Sequence, residues 1–279
     1  MISRGPFLEA GLNIFSTPGD IISILIVFII GFFLFYYSAR YFQATKVRAL
    51  LLYSWHTFFC FVYIFATSKI GGDAIWYYTE SLIQRYEFSF GTTATLYFTS
   101  LLTRGLGLNF TGTFMVFNII GTYGLIAIDA SLRHATRDKS GFVKSLSLLI
   151  VLVPSMSYWS AGIAKDTIQF MGTGFLLWSC LDFKKRNIIF LFSLFTIFVV
   201  RPHICGIAIF ALLTTMMFVK SISFSKKTTY LVIFTFLLIF MLPFAFEYVA
   251  FKNTLSIETF TSYINKRQSY NLDGGSSVD

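Results

Sequence analysis

Charge is scarce in this chain: Asp, Glu, Lys and Arg make up only 13% of its 279 residues, where a soluble globular protein carries about a quarter. That shortage excludes soluble two-domain architectures of this length. Cysteine is equally thin. Cys60, Cys180 and Cys205 stand alone in apolar stretches, with no C-x-x-C spacing and no neighbouring histidine cluster, so neither a disulfide framework nor a metal site is expected and the three read as packing residues. No internal repeat relates one half of the chain to the other. The basic residues give a net charge of +9 but gather on no single helix or arm, which removes the nucleic-acid reading.

What is present is apolar length. Hydrophobic residues form 56% of the chain, and they recur in runs of the roughly 20 residues that cross about 30 Å of hydrocarbon. The runs are Ile21–Ala39, Ala49–Thr67, Thr113–Ala130, Leu146–Pro154, Thr167–Leu181, Ile188–Val200, Ile204–Val219 and Thr229–Phe251. The expected fold is therefore all-α, a polytopic membrane bundle of about eight transmembrane helices over residues 1–251. Leu146–Pro154 is the short member of the set. The first run follows a weakly charged leader and lacks a small-x-small exit, so it reads as a retained anchor. Gly31, Gly121 and Gly172 inside the runs read as sites of close helix approach. Residues 252–279 form a polar tail ending in a flexible Gly-Gly-Ser-Ser stretch. Its abrupt end after an outgoing helix raises the expectation of a shortened chain.

Loop charge orients the bundle. With the N-terminus outside, the inner loops hold Arg40, Lys46, Arg48, Arg133, Arg137, Lys139, Lys144, Lys184, Lys185, Arg186, Lys220, Lys226 and Lys227, thirteen of the 22 basic residues. Every loop then obeys the positive-inside rule, and the agreement requires the even helix count that retains Leu146–Pro154. The tail falls outside as well. So do all the loops with unusual polar residues, which places any chemistry on the extracytoplasmic face.

The first outer loop, residues 68–110, is too long for a simple connection. After Gly71-Gly72-Asp73, residues Ile75, Tyr78, Leu82, Ile83 and Tyr86 follow helical spacing, which predicts an amphipathic helix on the membrane surface. Asp73 either caps that helix or serves as the base or anchor for a sugar hydroxyl. Both roles are compatible. Trp76, Tyr77 and Tyr78 are either an interfacial belt or platforms for sugar rings.

A second outer element runs from Pro154 through Trp159 to Lys165 and Asp166. Lys165 either snorkels towards head groups or contacts a phosphate at a helix start, with Asp166 fixing Lys165 or the acceptor. In the third element, Arg201-Pro202-His203, almost no loop separates two apolar runs, so Arg201 is expected at the bundle mouth or on a phosphate. His203 either donates a proton or caps a helix. His56, alone in the second run, reads as a satisfied packing residue.

Gly-Gly-Asp73-x-x-x-Tyr77-Tyr78, together with Pro154-Ser-x-x-x-Trp159-Ser-x-Gly-x-x-Lys165-Asp166, resembles bacterial polysaccharide polymerases of the Wzy and EpsG type. The likeness covers mainly residues 50–205. Those families are similar to membrane glycosyltransferases of the C-type fold, whose first extracytoplasmic loop carries an acid and a surface helix. The resemblance implies donors that are sugars on polyprenyl phosphates or pyrophosphates, with Asp73 as the loop acid and Arg201 and Lys165 as the phosphate-binding cations. One departure is that a single acid stands in the Gly-Gly-Asp motif. Glu80, two helical turns on, is either a second acid or an exposed surface residue.

The expected activity is extracytoplasmic glycosyl transfer at the bacterial inner membrane, joining lipid-linked repeat units into capsule, O-antigen or exopolysaccharide. Asp73 and Arg201 are the expected catalytic residues, with Lys165, Asp166, His203, Trp76, Tyr77, Tyr78 and Trp159 binding substrate. Two cations suffice for charge stabilisation, so no metal or cofactor is expected. The partners would be a polyprenyl-(pyro)phosphate oligosaccharide, membrane lipids and other polysaccharide-assembly proteins. The rivals are a flippase or transporter of lipid-linked oligosaccharide and an inactive polymerase remnant or subunit.

Overall fold

Within the described residues the apolar runs fall on helices, Leu146–Pro154 straddling two of them, and the helix ends follow local chemistry. A computed structural model describes residues 18–83, 86–218 and 223–248; the expected leader and polar tail lie outside them. Helix α1 is Pro18–Ser38, α2 Lys46–Ile70, α3 Asp73–Ile83, and α4 Thr92–Ser100, which continues as a π-helical turn, Leu101–Gly105. Then come α5 Phe110–Ala135, α6 Gly141–Val151, α7 Pro154–Ser160, α8 Lys165–Cys180, α9 Phe183–Val200, α10 Pro202–Phe218 and α11 Phe224–Tyr248. Among the described residues there is no β-strand.

The Thr45 hydroxyl opens α2 by accepting from Arg48 N–H at 3.2 Å, and Asn109 opens α5 by accepting from Gly112 N–H at 2.7 Å. Such caps satisfy amides that the helix itself leaves without acceptors. Helix α2 closes at Gly71, whose φ of 83° a side chain would resist.

Four segments are long and apolar enough to cross a membrane: Ile21–Ser38, Lys46–Ile70, Phe110–Ala135 and Gly141–Ser160. The fourth rescues the short Leu146–Pro154 run, because α6 and α7 together supply the length, with a break at Leu152 and Val153. Helix α8 is short, at 16 residues. Helix α9 carries Lys184, Lys185 and Arg186 within its first turn, which lowers its apolar content.

The chain divides into two compact units, one ending at Val200 and the other beginning at Arg201. The sequence alone reads 1–251 as a single transmembrane domain. In the first unit α5 is central, and it packs on α8, which in turn packs on α9. Small residues make this possible. A Cβ on Gly174 would stand 2.5 Å from the Gly124 carbonyl oxygen, and one on Gly172 would stand 2.7 Å from Ile197. Gly31 and Gly121 are equally crowded, against Tyr53 and Ser160, so all three glycines read as close-approach sites are such sites. In the second unit α10 packs on α11.

The Lys46 end of the first unit is held by ions. Asp129, 1% exposed, accepts from Arg48 at 2.6 Å and from Arg133 at 2.8 Å. Arg133 also donates to the carbonyls of Phe42 and Gln43, at 2.9 and 2.7 Å. Two arginines placed on one face by loop charge therefore do share one end of the bundle.

Two elements expected on the outer face pack partly against the rest of the first unit. Helix α3 buries Ala74, Ile75, Tyr77, Tyr78 and Ser81 against the protein while Leu82 and Ile83 stay exposed. Ile75 and Tyr78 of the expected stripe are therefore buried where α3 packs on α4, while its members Leu82 and Ile83 are not. The element from Pro154 to Lys165 is likewise no open loop. It forms α7 and then a turn whose Ala161, Gly162, Ile163 and Ala164 are buried, and this run carries no charge that would oppose its burial.

Candidate functional site

Tyr63 lies two turns before the end of α2, and groups from four other segments gather at its ring. Tyr158 is 4.7 Å away by ring centroid, Phe114 5.6 Å and Trp159 6.1 Å. The carboxylates of Asp73, at the start of α3, and Asp166, in the first turn of α8, both act electrostatically on its hydroxyl. Two acids from motifs far apart in sequence thus share one neighbour.

Beside them Lys165, half-buried, donates from Nζ to Thr92 Oγ1 at 3.1 Å. Thr92 opens α4, and the preceding Gly91 N–H donates to the Val199 carbonyl at 2.7 Å. The long loop and the α8 start are therefore tied together at the Ile70 end of the first unit.

Space explains how α8 reaches this point. A Cβ on Gly162 would overlap the Tyr63 ring and stand 3.2 Å from Phe114. The Thr167 hydroxyl donates to the Gly162 carbonyl at 2.6 Å, closing the turn from the other side. Only glycine lets the chain pass beneath Tyr63.

The aromatic residues divide by burial. Trp159 is 62% exposed and Trp76 half-buried, whereas Tyr77 and Tyr78 are 3% and 8% exposed. Tyr78 packs edge-on against Phe110 at 5.2 Å. A belt or a sugar platform needs an open ring face, and the two tyrosines spend theirs on the core.

Glu80 is half-buried rather than a free surface acid, and it accepts from the Tyr86 hydroxyl at 2.6 Å. That hydrogen bond, with a smaller contribution from burial, pushes the Tyr86 phenol up to about 12. Asp73 and Glu80 are seven residues apart, so they share a helix face about 10 Å apart along its axis. They are not an adjacent pair of acids.

Below this cluster lies a buried polar network. His56, near the middle of α2, is fully buried; its Nδ1 lies 2.6 Å from Asn118 Oδ1 and its Nε2 3.0 Å from Ser160 Oγ. Asn118 Nδ2 donates to Thr57 Oγ1 at 2.8 Å. His56 is satisfied, as its isolation in an apolar run implies, but its partners lie on α5 and α7. Sequence reasoning missed this link and also missed Asp129. An acid inside an apolar run is itself a signal, since such residues pair or function.

Arg201 and His203 belong to the second unit. Arg201 is half-buried, and its carbonyl accepts from Ile204 N–H at 3.0 Å and Cys205 N–H at 3.2 Å at the start of α10. Pro202 follows it as the first helical residue, where its missing N–H costs nothing. Among the described residues no three His, Cys, Asp or Glu side chains gather as a metal site.

Chemically, the first-unit cluster offers two carboxylates, one ammonium and an exposed indole at one end of an apolar bundle. Comparison with known protein families, curated proteins and solved structures finds no match to this chain.

Proposed function

We propose that the chain crosses the bacterial inner membrane eight times, with its N-terminus outside and α3 at the outer surface, and transfers glycans between polyprenyl-linked carriers. The observation that carries this reading is that the α8 start, with Lys165 and Asp166, is tied to Thr92 of the first outer loop beside the exposed Trp159, at the end of α2 from which Asp73 opens α3. Arg48 and Arg133 meeting at the opposite end supports the orientation.

In the proposed reaction an acceptor sugar hydroxyl oxygen bonds to the anomeric carbon of the donor glycan, and the bond from that carbon to the pyrophosphate oxygen breaks. Asp73 takes the hydroxyl proton, an effect worth roughly 10²–10⁴-fold. The leaving pyrophosphate keeps the bonding electron pair and is stabilised by Lys165, with Asp166 orienting the ammonium. Trp159 and Trp76 supply faces for sugar rings. Arg201 keeps the phosphate-binding role that its sequence context assigns.

One observation favours a second reading. A polar network near the middle of two long apolar helices, beside the turn that follows α7, is the kind of feature found in transporters. That reading makes the protein a flippase for the same lipid-linked sugars.

One reconstitution separates the two. Purified protein in liposomes, supplied with a polyprenyl-pyrophosphate oligosaccharide, should lengthen the glycan, and Asp73→Asn should abolish lengthening. Movement of the oligosaccharide across the bilayer without lengthening would establish the flippase instead, and neither outcome would sink both readings.

A further inference from the structure

The polar network and the candidate site are joined by a very short piece of chain. Ser160, the last residue of α7, touches His56; Gly162 passes beneath Tyr63; Lys165 and Asp166 begin α8. His56 and Tyr63 are seven residues apart and so lie on one face of α2, about 10 Å apart along its axis. The turn therefore climbs α2 from a polar foothold to the site.

That foothold is closed on every side. Asn118 gives its Nδ2 to Thr57, which aims its Oδ1 at His56 Nδ1. The ring then points Nε2 at Ser160, while the Ser160 hydroxyl also reaches the Met156 carbonyl at 2.5 Å. A Cβ on Gly121 would overlap the Ser160 carbonyl and stand 2.7 Å from the ring, so α5 presses the turn onto the histidine. Apolar contacts alone would let the turn slide along α2, because they have no direction. A buried hydrogen bond to a fixed ring does not allow that, since breaking it would leave two desolvated polar groups without partners.

We propose that His56 is a positioning residue: held by Asn118, it fixes Ser160 and thereby sets where Lys165 and Asp166 stand against Thr92 at the start of α4. Its bearing on activity rests on the glycosyl-transfer reading above; its effect on position does not.

The test exploits two amides. Gln places its terminal group where His has Nε2 and keeps the bond to Ser160, whereas Asn mimics Nδ1 and keeps only the bond to Asn118. Position is read first. In protein lacking Cys60, Cys180 and Cys205, Thr92→Cys and Lys165→Cys are cross-linked with a short bifunctional maleimide, on material that elutes as a single folded species. His56→Gln should retain the cross-link, and His56→Asn should lower its rate on the order of tenfold. Equal cross-linking in the two variants, with both folded, overturns the proposal. Glycan lengthening is then measured with Lys165 intact. A misplaced cation costs on the order of tenfold or more, so His56→Gln should keep the activity that His56→Asn loses. A cross-link that separates Gln from Asn in a protein that lengthens no glycan supports the positioning role and refutes the glycosyl-transfer reading.

Discussion

Gly121→Ala adds one methyl group at a crowded point of the first unit. The new Cβ would overlap the Ser160 carbonyl oxygen and lie 2.7 and 3.0 Å from two atoms of the His56 ring. The first obstacle is backbone, and the second is a ring pinned by two hydrogen bonds, so neither can yield as the tip of a flexible side chain would. Overpacking usually costs about 1–3 kcal/mol, and the upper end applies here. For a unit of this size that corresponds to a fall in melting temperature on the order of 10 °C, measurable by thermal unfolding in detergent. Gly141→Ala is the control. Nothing lies within 4 Å of its Cβ, and alanine is the better helix former by up to about 1 kcal/mol, so its melting temperature should hold or rise. If Gly121→Ala melts with the wild type, the turn after α7 does not press against α5 and the geometry argued for His56 is wrong.

Two ion pairs should separate in the same assay. Asp129→Asn strands two arginines, each a little over a quarter exposed, and should cost about 3 kcal/mol, the low end for a buried pair because solvent screens the arginines; Asp182→Asn breaks an exposed 3.6 Å contact with Lys185 and should stay within about 0.5 kcal/mol. Equal losses would contradict the burial argument. Ionising Tyr86 would break its bond to Glu80 and set two negative charges together, so the contact should survive as pH rises past the usual phenol value near 10 and be lost only near 12. The phenolate absorbance titration of wild type minus Tyr86→Phe should therefore show its component near 12, and a component near 10 would refute the contact.

Much of the architecture was legible because apolar length is a strong signal. Within the described residues the apolar runs fall on helices, and Gly31, Gly121 and Gly172 within them do mark close approaches. Loop charge correctly put Arg48 and Arg133 together. Burial of polar segments was harder to read. The stretch from Ser155 to Ala164 looks like a loop from its serines and aromatics, yet its end from Ser160 to Ala164 is buried because those residues are uncharged and mostly small and the Ser160 hydroxyl finds partners in His56 and Met156. Asp73, Lys165 and Asp166 were each visible as charges at a helix start, but only the fold brings Lys165 to Thr92 of the long outer loop. Tyr77 and Tyr78 misled for a related reason: interfacial sequence does not reveal which side of a short helix faces its neighbours.

The central claim is that the Asp73 cluster lengthens lipid-linked glycan outside the cell. Its most direct test is surface polysaccharide length in cells lacking this protein, complemented with wild type, Asp73→Asn, Lys165→Ala or Arg201→Ala at matched membrane levels. Long chains are expected with wild type, and single repeat units with Asp73→Asn, Lys165→Ala and Arg201→Ala. Full-length polymer in both Asp73→Asn and Lys165→Ala cells would contradict the site, and polymer length that ignores even the wild-type protein would contradict the function.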